Sequence, residues 1–212
     1  MCFLNIGAAT TSMVVYEEGD VLHTAVLPIG SDHVTSDIAI GLRTSIEVAE
    51  QVKLNHATCL SEDVTKKEEI NLGEMGASED EIVGKKFVSD ITQARAQEIF
   101  EHVDRELKKI DRSGMLPAGV ILTGGGAKLR GIQEVAKSAL RLPVTLGLPM
   151  GVTSVIDRIN DPAMSTAIGL VLWGHHIRSL GGKGGFGNML SKVGDLDKIG
   201  SWAKKLFKSL KP

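Results

Sequence analysis

Two small-residue turns hold the residues with the clearest chemical potential. Gly7, Ala8, Ala9, Thr10 and Thr11 lie between apolar runs at residues 2–6 and 12–16. Gly124, Gly125, Gly126 and Ala127 follow Val120, Ile121 and Leu122, a short run that reads as a buried strand. Ile132, Val135, Ala136, Ala139 and Leu140 then repeat at helical spacing, so a helix follows the second turn closely. Backbone without Cβ atoms lets a ligand approach closely, and strand, glycine turn and helix together suit a phosphate. Successive backbone N–H groups of the first turn, with the hydroxyls of Thr10 and Thr11, can wrap the same kind of anion. A plain hairpin and a merely tight strand-to-helix turn stay open as readings. Ala127, Lys128 and Leu129 replace the lysine–hydroxyl ending of a P-loop, and the spacing GxGxxG is not met. Glu50 and Lys53 add a third element, three residues apart on one helix face. A solvated ion pair is the ordinary meaning of that spacing.

The elements that must position these groups can be read from the pattern. Residues 2–6, 12–16 and 21–27 predict three strands joined by tight turns, an antiparallel meander. Helices are predicted over 32–43 and 45–56, a short strand over 68–71 and a turn over 75–80. Val88, Ile91, Ile99, Val103, Leu107 and Ile110 predict a long amphipathic helix, which Gly114 and Pro117 close. A strand over 143–148 follows the glycine turn. Asp161 and Pro162 open a helix of small residues over 163–173, predicted to be buried. The run of glycines after Leu180 has the composition of a flexible linker.

Composition excludes several classes. Lys and Arg total 24 against 26 Asp and Glu, a net charge of −2 that gives no basic field for nucleic acid. Cys2 and Cys59 lack metal-ligand spacing and read as buried thiols in a reducing compartment. Adjacent His175 and His176 point apart on a helix and suit no single metal. No run of 18 apolar residues occurs, and the N-terminus lacks signal-peptide character.

The meander with its phosphate-type hairpin, and the later glycine turn, resemble the second half of an actin-like ATPase. Residues 22–30 (Leu-His-Thr-Ala-Val-Leu-Pro-Ile-Gly) and 34–44 (Val-Thr-Ser-Asp-Ile-Ala-Ile-Gly-Leu-Arg-Thr) are similar to the FtsA family of bacterial cell-division proteins. So are 49–53, 124–131 and 142–149. The resemblance covers most of residues 2–175. It implies an α/β, ribonuclease H-like fold of two subdomains: 2A from residues 1–32 and 99–178, and 2B from 33–98. A linker over 179–196 and a terminal helix over 197–212 would follow. It further implies ATP or ADP with Mg²⁺ in a cleft shared with a first half, which this chain is expected to lack. The nucleotide would meet Gly7, Ala8, Ala9, Thr10, Thr11, Glu50, Lys53, Gly124, Gly125, Gly126 and Ala127. The C-terminal peptide of the tubulin-like FtsZ would dock on 2B, with Lys85 and Lys86 at the positions of the family's basic pair. An exposed turn is the plainer reading of those two lysines. Self-polymerisation and placement on the cytoplasmic face of the membrane, at the division site, are also implied.

The hairpin departs from the family pattern. Asn5 and Ser12 stand where aspartates are usual, and Ala9 where glycine is. Lost carboxylates weaken Mg²⁺ contact and argue against hydrolysis. An ATP-hydrolysing enzyme of the chaperone or sugar-kinase superfamily, or a rod-shape actin homologue such as MreB, is the alternative reading.

Residues 197–212 speak for themselves. Ile199, Trp202, Ala203, Leu206, Phe207 and Leu210 fall on a helical arc of roughly 140°, while Lys198, Lys204, Lys205, Lys208 and Lys211 fill the rest. No acidic residue follows Asp197. This is the pattern of a helix lying in an anionic membrane surface, too short and too charged to span it. A helix that caps the domain or meets a partner is the competing reading.

Overall fold

The computed structural model describes residues 1–152 and 157–179. Its contacts divide the chain into units 1–168 and 169–212.

The first unit is built on a five-stranded mixed sheet. Strands β1 (Cys2–Ile6), β2 (Thr11–Glu17) and β3 (Asp20–Leu27) form the expected antiparallel meander. Strands β6 (Val120–Thr123) and β7 (Val144–Leu146) continue from the other side of β1, giving the order β3-β2-β1-β6-β7. Both added pairings, β1 with β6 and β6 with β7, are parallel. Alternate residues of β1 and β2 (Cys2, Leu4, Ile6, Met13 and Val15) are fully buried on one face, as period-two alternation requires. The crossover from β6 to β7 runs through α4 (Ile132–Leu140), whose Ile132, Val135, Ala136 and Leu140 face the same core.

A second, smaller core lies between α1 (Ser31–Leu42) and α2 (Ile46–His56), around Val34, Ile38, Val48 and Val52. Ser45 caps α2 by accepting the Val48 N–H. Ile70 of β4 (Glu69–Asn71) joins this core, and β5 (Ile82–Gly84) pairs with β4 in a two-stranded sheet. The β5 strand is not apparent from sequence, because three residues are too few to show alternation.

One helix serves both cores. α3 (Lys85–Lys109) contributes Val88 to the small core and Ala96, Ile99, Phe100, Val103 and Leu107 to the large one. At 1.5 Å per residue it is about 37 Å long, enough to run past both. Arg95 clamps α3 to α1 through both Asp37 oxygens, at 2.6 and 2.9 Å. Such a fork fixes orientation as well as distance.

One expectation needs correcting. The helix predicted over 163–173 is a short 3₁₀ turn, Pro162–Met164, followed by α5 (Ser165–Ser179), and none of α5 is buried. Leu170, Val171 and Trp173 are more than 60 % exposed. A helix that is apolar all round is ordinarily covered. The described residues of the second unit offer nothing for it to pack on. No described helix is long and apolar enough to cross a membrane.

Phe100 is fully buried where α3 meets the sheet core. Phe100→Ala should cost about 3–5 kcal/mol through lost burial and the cavity it leaves. Urea unfolding followed by circular dichroism should show a lower midpoint with little change in slope.

Candidate nucleotide site

The pairing of β1 with β6 decides where the two turns go. These strands are parallel neighbours with Asn5 opposite Thr123, so the turns that follow them leave the sheet at the same end. From there the chain goes outward in opposite directions, to β2 after one and towards β7 after the other. A crevice at the carboxyl ends of strands, where the connections diverge, is the usual ligand position in such sheets.

The hairpin turn is held by α1. Gly7 N–H donates to the Thr10 carbonyl at 2.9 Å, closing the turn. The Ser31 and Asp32 N–H groups donate to the Gly7 and Ala8 carbonyls, each at 2.9 Å, and Ser31 Oγ adds a bond to Gly7. The first N–H groups of a helix lack partners within it, and here the hairpin supplies them. Gly30 permits this approach, since a Cβ there would overlap both carbonyl oxygens.

The glycine turn is set by contact with β1. Gly124 has φ +88°, and a Cβ on it would collide with Asn5 Oδ1 and the Ile6 carbonyl. A Cβ on Gly126 would strike the Ile6 side chain, whereas Gly125 is exposed with open space around its Cβ position. Only the middle glycine therefore presents bare backbone outward.

α2 adds the polar wall. Lys53 is 6 % exposed, with Nζ 2.6 Å from Glu50 and 2.8 Å from the Thr35 hydroxyl, which itself donates to Glu50. Spacing alone suggested a solvated pair, and the structure corrects that, because α1 packs over the lysine. Burial acts to raise the Glu50 carboxyl, but the bonds from Lys53 and Thr35 and the lysine charge outweigh it and hold it below its ordinary value.

These parts enclose a cleft of about 440 Å³. Of the predicted residues, Ala8, Glu50, Lys53, Gly125 and Gly126 line it. Gly7 and Gly124 shape its walls, and Ala127 is buried behind them. Ala9 and Thr10 are exposed in the hairpin turn and do not line the cleft. Thr11 turns inward, fully buried, and donates to the Ile29 carbonyl at 2.8 Å. Its strand position explains this, as the first residue of β2 on the core-facing side. Ser31, Asp32, Lys128 and Arg130 also line the cleft and were missed. Lys128 and Arg130, a few residues after the triple glycine, were the available signal. A larger groove of about 670 Å³ lies along α3 and α4, with Gln97, Glu101 and Glu134 among its walls, but neither glycine turn reaches it.

A nucleotide fits this donor set: backbone and cations for phosphate, and the Glu50 carboxylate for ribose hydroxyls. Mg²⁺ fits poorly. Neither Asn5 nor Ser12 lines the cleft, and no cluster of three His, Cys, Asp or Glu residues among the described residues could hold a metal.

The predicted Lys85 and Lys86 lie apart from the cleft lining. Lys85 bonds Glu68 at 2.7 Å, and Lys86 donates to the Ser61 carbonyl at 2.7 Å, so both brace the start of α3. Ile199, Trp202, Lys204, Lys205, Leu206, Phe207, Lys208 and Leu210 lie outside the described residues. Cys2 and Cys59 are buried, and burial pushes both thiols up to about 12.

The family described as "Cell division protein FtsA" matches residues 2–169. This chain belongs to the FtsA family. It is 34 % identical to the FtsA of Pseudomonas aeruginosa over 82 % of its length and 42 % of that protein's. With the FtsA of Escherichia coli K12 it shares 29 % identity over 98 % of its length and 51 % of the relative's. The chain thus spans about half the length of these relatives. Among solved structures it resembles MreB5 of Spiroplasma citri bound to ADP, with TM-score 0.66 and 17 % identity over 86 % of this chain and 55 % of that one. It also resembles the PilM–PilN type IV pilus biogenesis complex, with TM-score 0.59 and 21 % identity over 81 % and 44 %. The fold is that of the actin-like ATPases.

The sign of the Glu50 shift gives a test. A carboxyl depressed in the folded state adds stability that is present above its ordinary value of 4.5 and lost as pH falls through the folded value. Glu50→Gln should therefore be less stable than the parent at neutral pH. The gap between their unfolding midpoints should shrink as pH drops below 4.5.

Proposed function

We propose that this chain is the nucleotide-binding second half of a cell-division adaptor that tethers the FtsZ ring to the membrane. The observation that carries the reading is the family match over residues 2–169, joined to a cleft where both small-residue turns converge. ATP or ADP places its phosphates at Gly125 and Ala8 and its ribose near Glu50. Lys53 holds that carboxylate ionised and oriented. The large core with its sheet corresponds to subdomain 2A and the small core around α1 and α2 to 2B. Self-polymerisation belongs to the same reading, in keeping with its actin-like fold.

The FtsZ C-terminal peptide docks on 2B. An acidic peptide would draw Lys85 and Lys86 from their present partners, Glu68 and Ser61. Neutralising both with Lys85→Gln and Lys86→Gln should weaken peptide binding in fluorescence anisotropy and flatten its salt dependence. Unchanged affinity would remove these two residues from the site.

Residues 197–212 form the membrane anchor, lying flat on the cytoplasmic face with the apolar arc down. Five lysines contribute about 1 kcal/mol each near an anionic surface. The rings of Trp202 and Phe207 add on the order of 2 kcal/mol each. Trp202 suits the headgroup boundary, where its N–H stays wet. The deciding experiment is sedimentation with anionic liposomes. The parent should pellet, and a Trp202→Glu, Phe207→Glu variant should stay in the supernatant. Equal pelleting would mean that the anchor lies elsewhere.

A further inference from the structure

We infer that this half of the cleft binds nucleotide without help from Mg²⁺, because the polar side chains at its strand ends and most of the carboxylates beside it are already engaged with protein. The inference rests on the nucleotide reading of the cleft given above.

Asn5 is the pivotal residue. It ends β1 beside the hairpin turn, directly across the ladder from Ser12. Its amide nitrogen donates to the Thr166 hydroxyl at 2.8 Å, and its amide oxygen packs against Gly124 so closely that no Cβ could stand there. The amide nitrogen is thus committed to protein, and the amide oxygen is packed beside Gly124. Beside it, the Thr123 hydroxyl bonds Ser165 at 2.6 Å and lies 3.0 Å from the Pro162 carbonyl, which also accepts the Gly124 N–H. Asn5 and Thr123 together pin the segment 162–166 over the strand ends. A carboxylate at position 5 could accept a hydrogen bond from Thr166.

The remaining carboxylates do not replace the lost pair. Glu50 is engaged by Lys53 and Thr35. Asp161 is held by Lys128 at 2.7 Å and by the Ala163 N–H at 2.9 Å. Of the two carboxylates that line the cleft, Asp32 alone has no ion pair, and it is exposed on the first turn of α1. Mg²⁺ demands near-octahedral oxygen geometry and gives up its water reluctantly, so a single mobile carboxylate gains it little. Charge on the phosphates is met instead by Arg130 on the cleft wall, with Lys128 beside it once it leaves Asp161. Mg²⁺ bound to the phosphates would neutralise the charge those side chains attract, and so gives back what it contributes.

The test titrates the full chain with mant-ADP, a fluorescent nucleotide, in millimolar Mg²⁺ and again in EDTA. The two dissociation constants should agree within about threefold. Restoring carboxylates with Asn5→Asp and Ser12→Asp should create a preference for Mg²⁺ of about tenfold, worth 1.4 kcal/mol. Ser12→Asp alone serves if the double variant unfolds, since it leaves the Asn5 contacts in place. Tenfold tighter binding with Mg²⁺ in the unaltered chain would overturn the inference while leaving the nucleotide site standing. Indifference to Mg²⁺ in both variants would also overturn it, by removing positions 5 and 12 from the metal's reach. Absence of mant-ADP binding in both buffers would sink the nucleotide reading and the inference with it.

Discussion

The parallel contact between β1 and β6 is the constraint on which the rest depends. Two strands far apart in sequence lie side by side, and the space between their ends is where the small-residue turns meet. That contact requires the backbone after β6 to pass almost against Ile6, which only glycine permits at positions 124 and 126. The same closeness explains why the triple glycine is not simply a ligand loop. Gly124 and Gly126 are needed for packing, and Gly125 alone has open space where a Cβ would stand.

The insertion between β3 and α3 follows from the same contact. The long path from β3 back to β6 must cross the sheet, and α3 makes that crossing with its second half packed on the sheet core. Its first half extends beyond, where α1 and α2 form a separate core against it. The cleft therefore has one wall from each core: turns from the sheet, and Glu50 and Lys53 from α2. The hairpin carbonyls and the Arg95–Asp37 fork hold the two walls in register.

Much of this was legible in the sequence, for identifiable reasons. The meander, α1, α2, α3 and α4 announce themselves by period, because each has one face in a core. Residues 82–84 were not legible as a strand, since β5 depends on its partner rather than on a pattern of its own. The inward direction of the Thr11 side chain was not legible, because sequence shows a hydroxyl but not where it points. Lys53 was underrated for a related reason, as spacing places it beside Glu50 but does not show α1 above it. The helix over 165–179 was legible as apolar, yet composition does not say whether a cover is present.

The Lys53–Glu50 pair illustrates how stability and function separate in this cleft. A lysine at 6 % exposure loses much of its hydration, and the attraction of one carboxylate seldom repays that loss with much to spare. An apolar side chain of similar length would fill the same space at less cost. What an apolar side chain would not do is fix the direction of Glu50, whose oxygen is shared between the ammonium and the Thr35 hydroxyl. A carboxylate fixed in this way is already oriented before any hydroxyl-bearing ligand arrives, and such a ligand loses less entropy on binding. The pair is therefore better understood as preorganisation of a wall than as a brace for the fold.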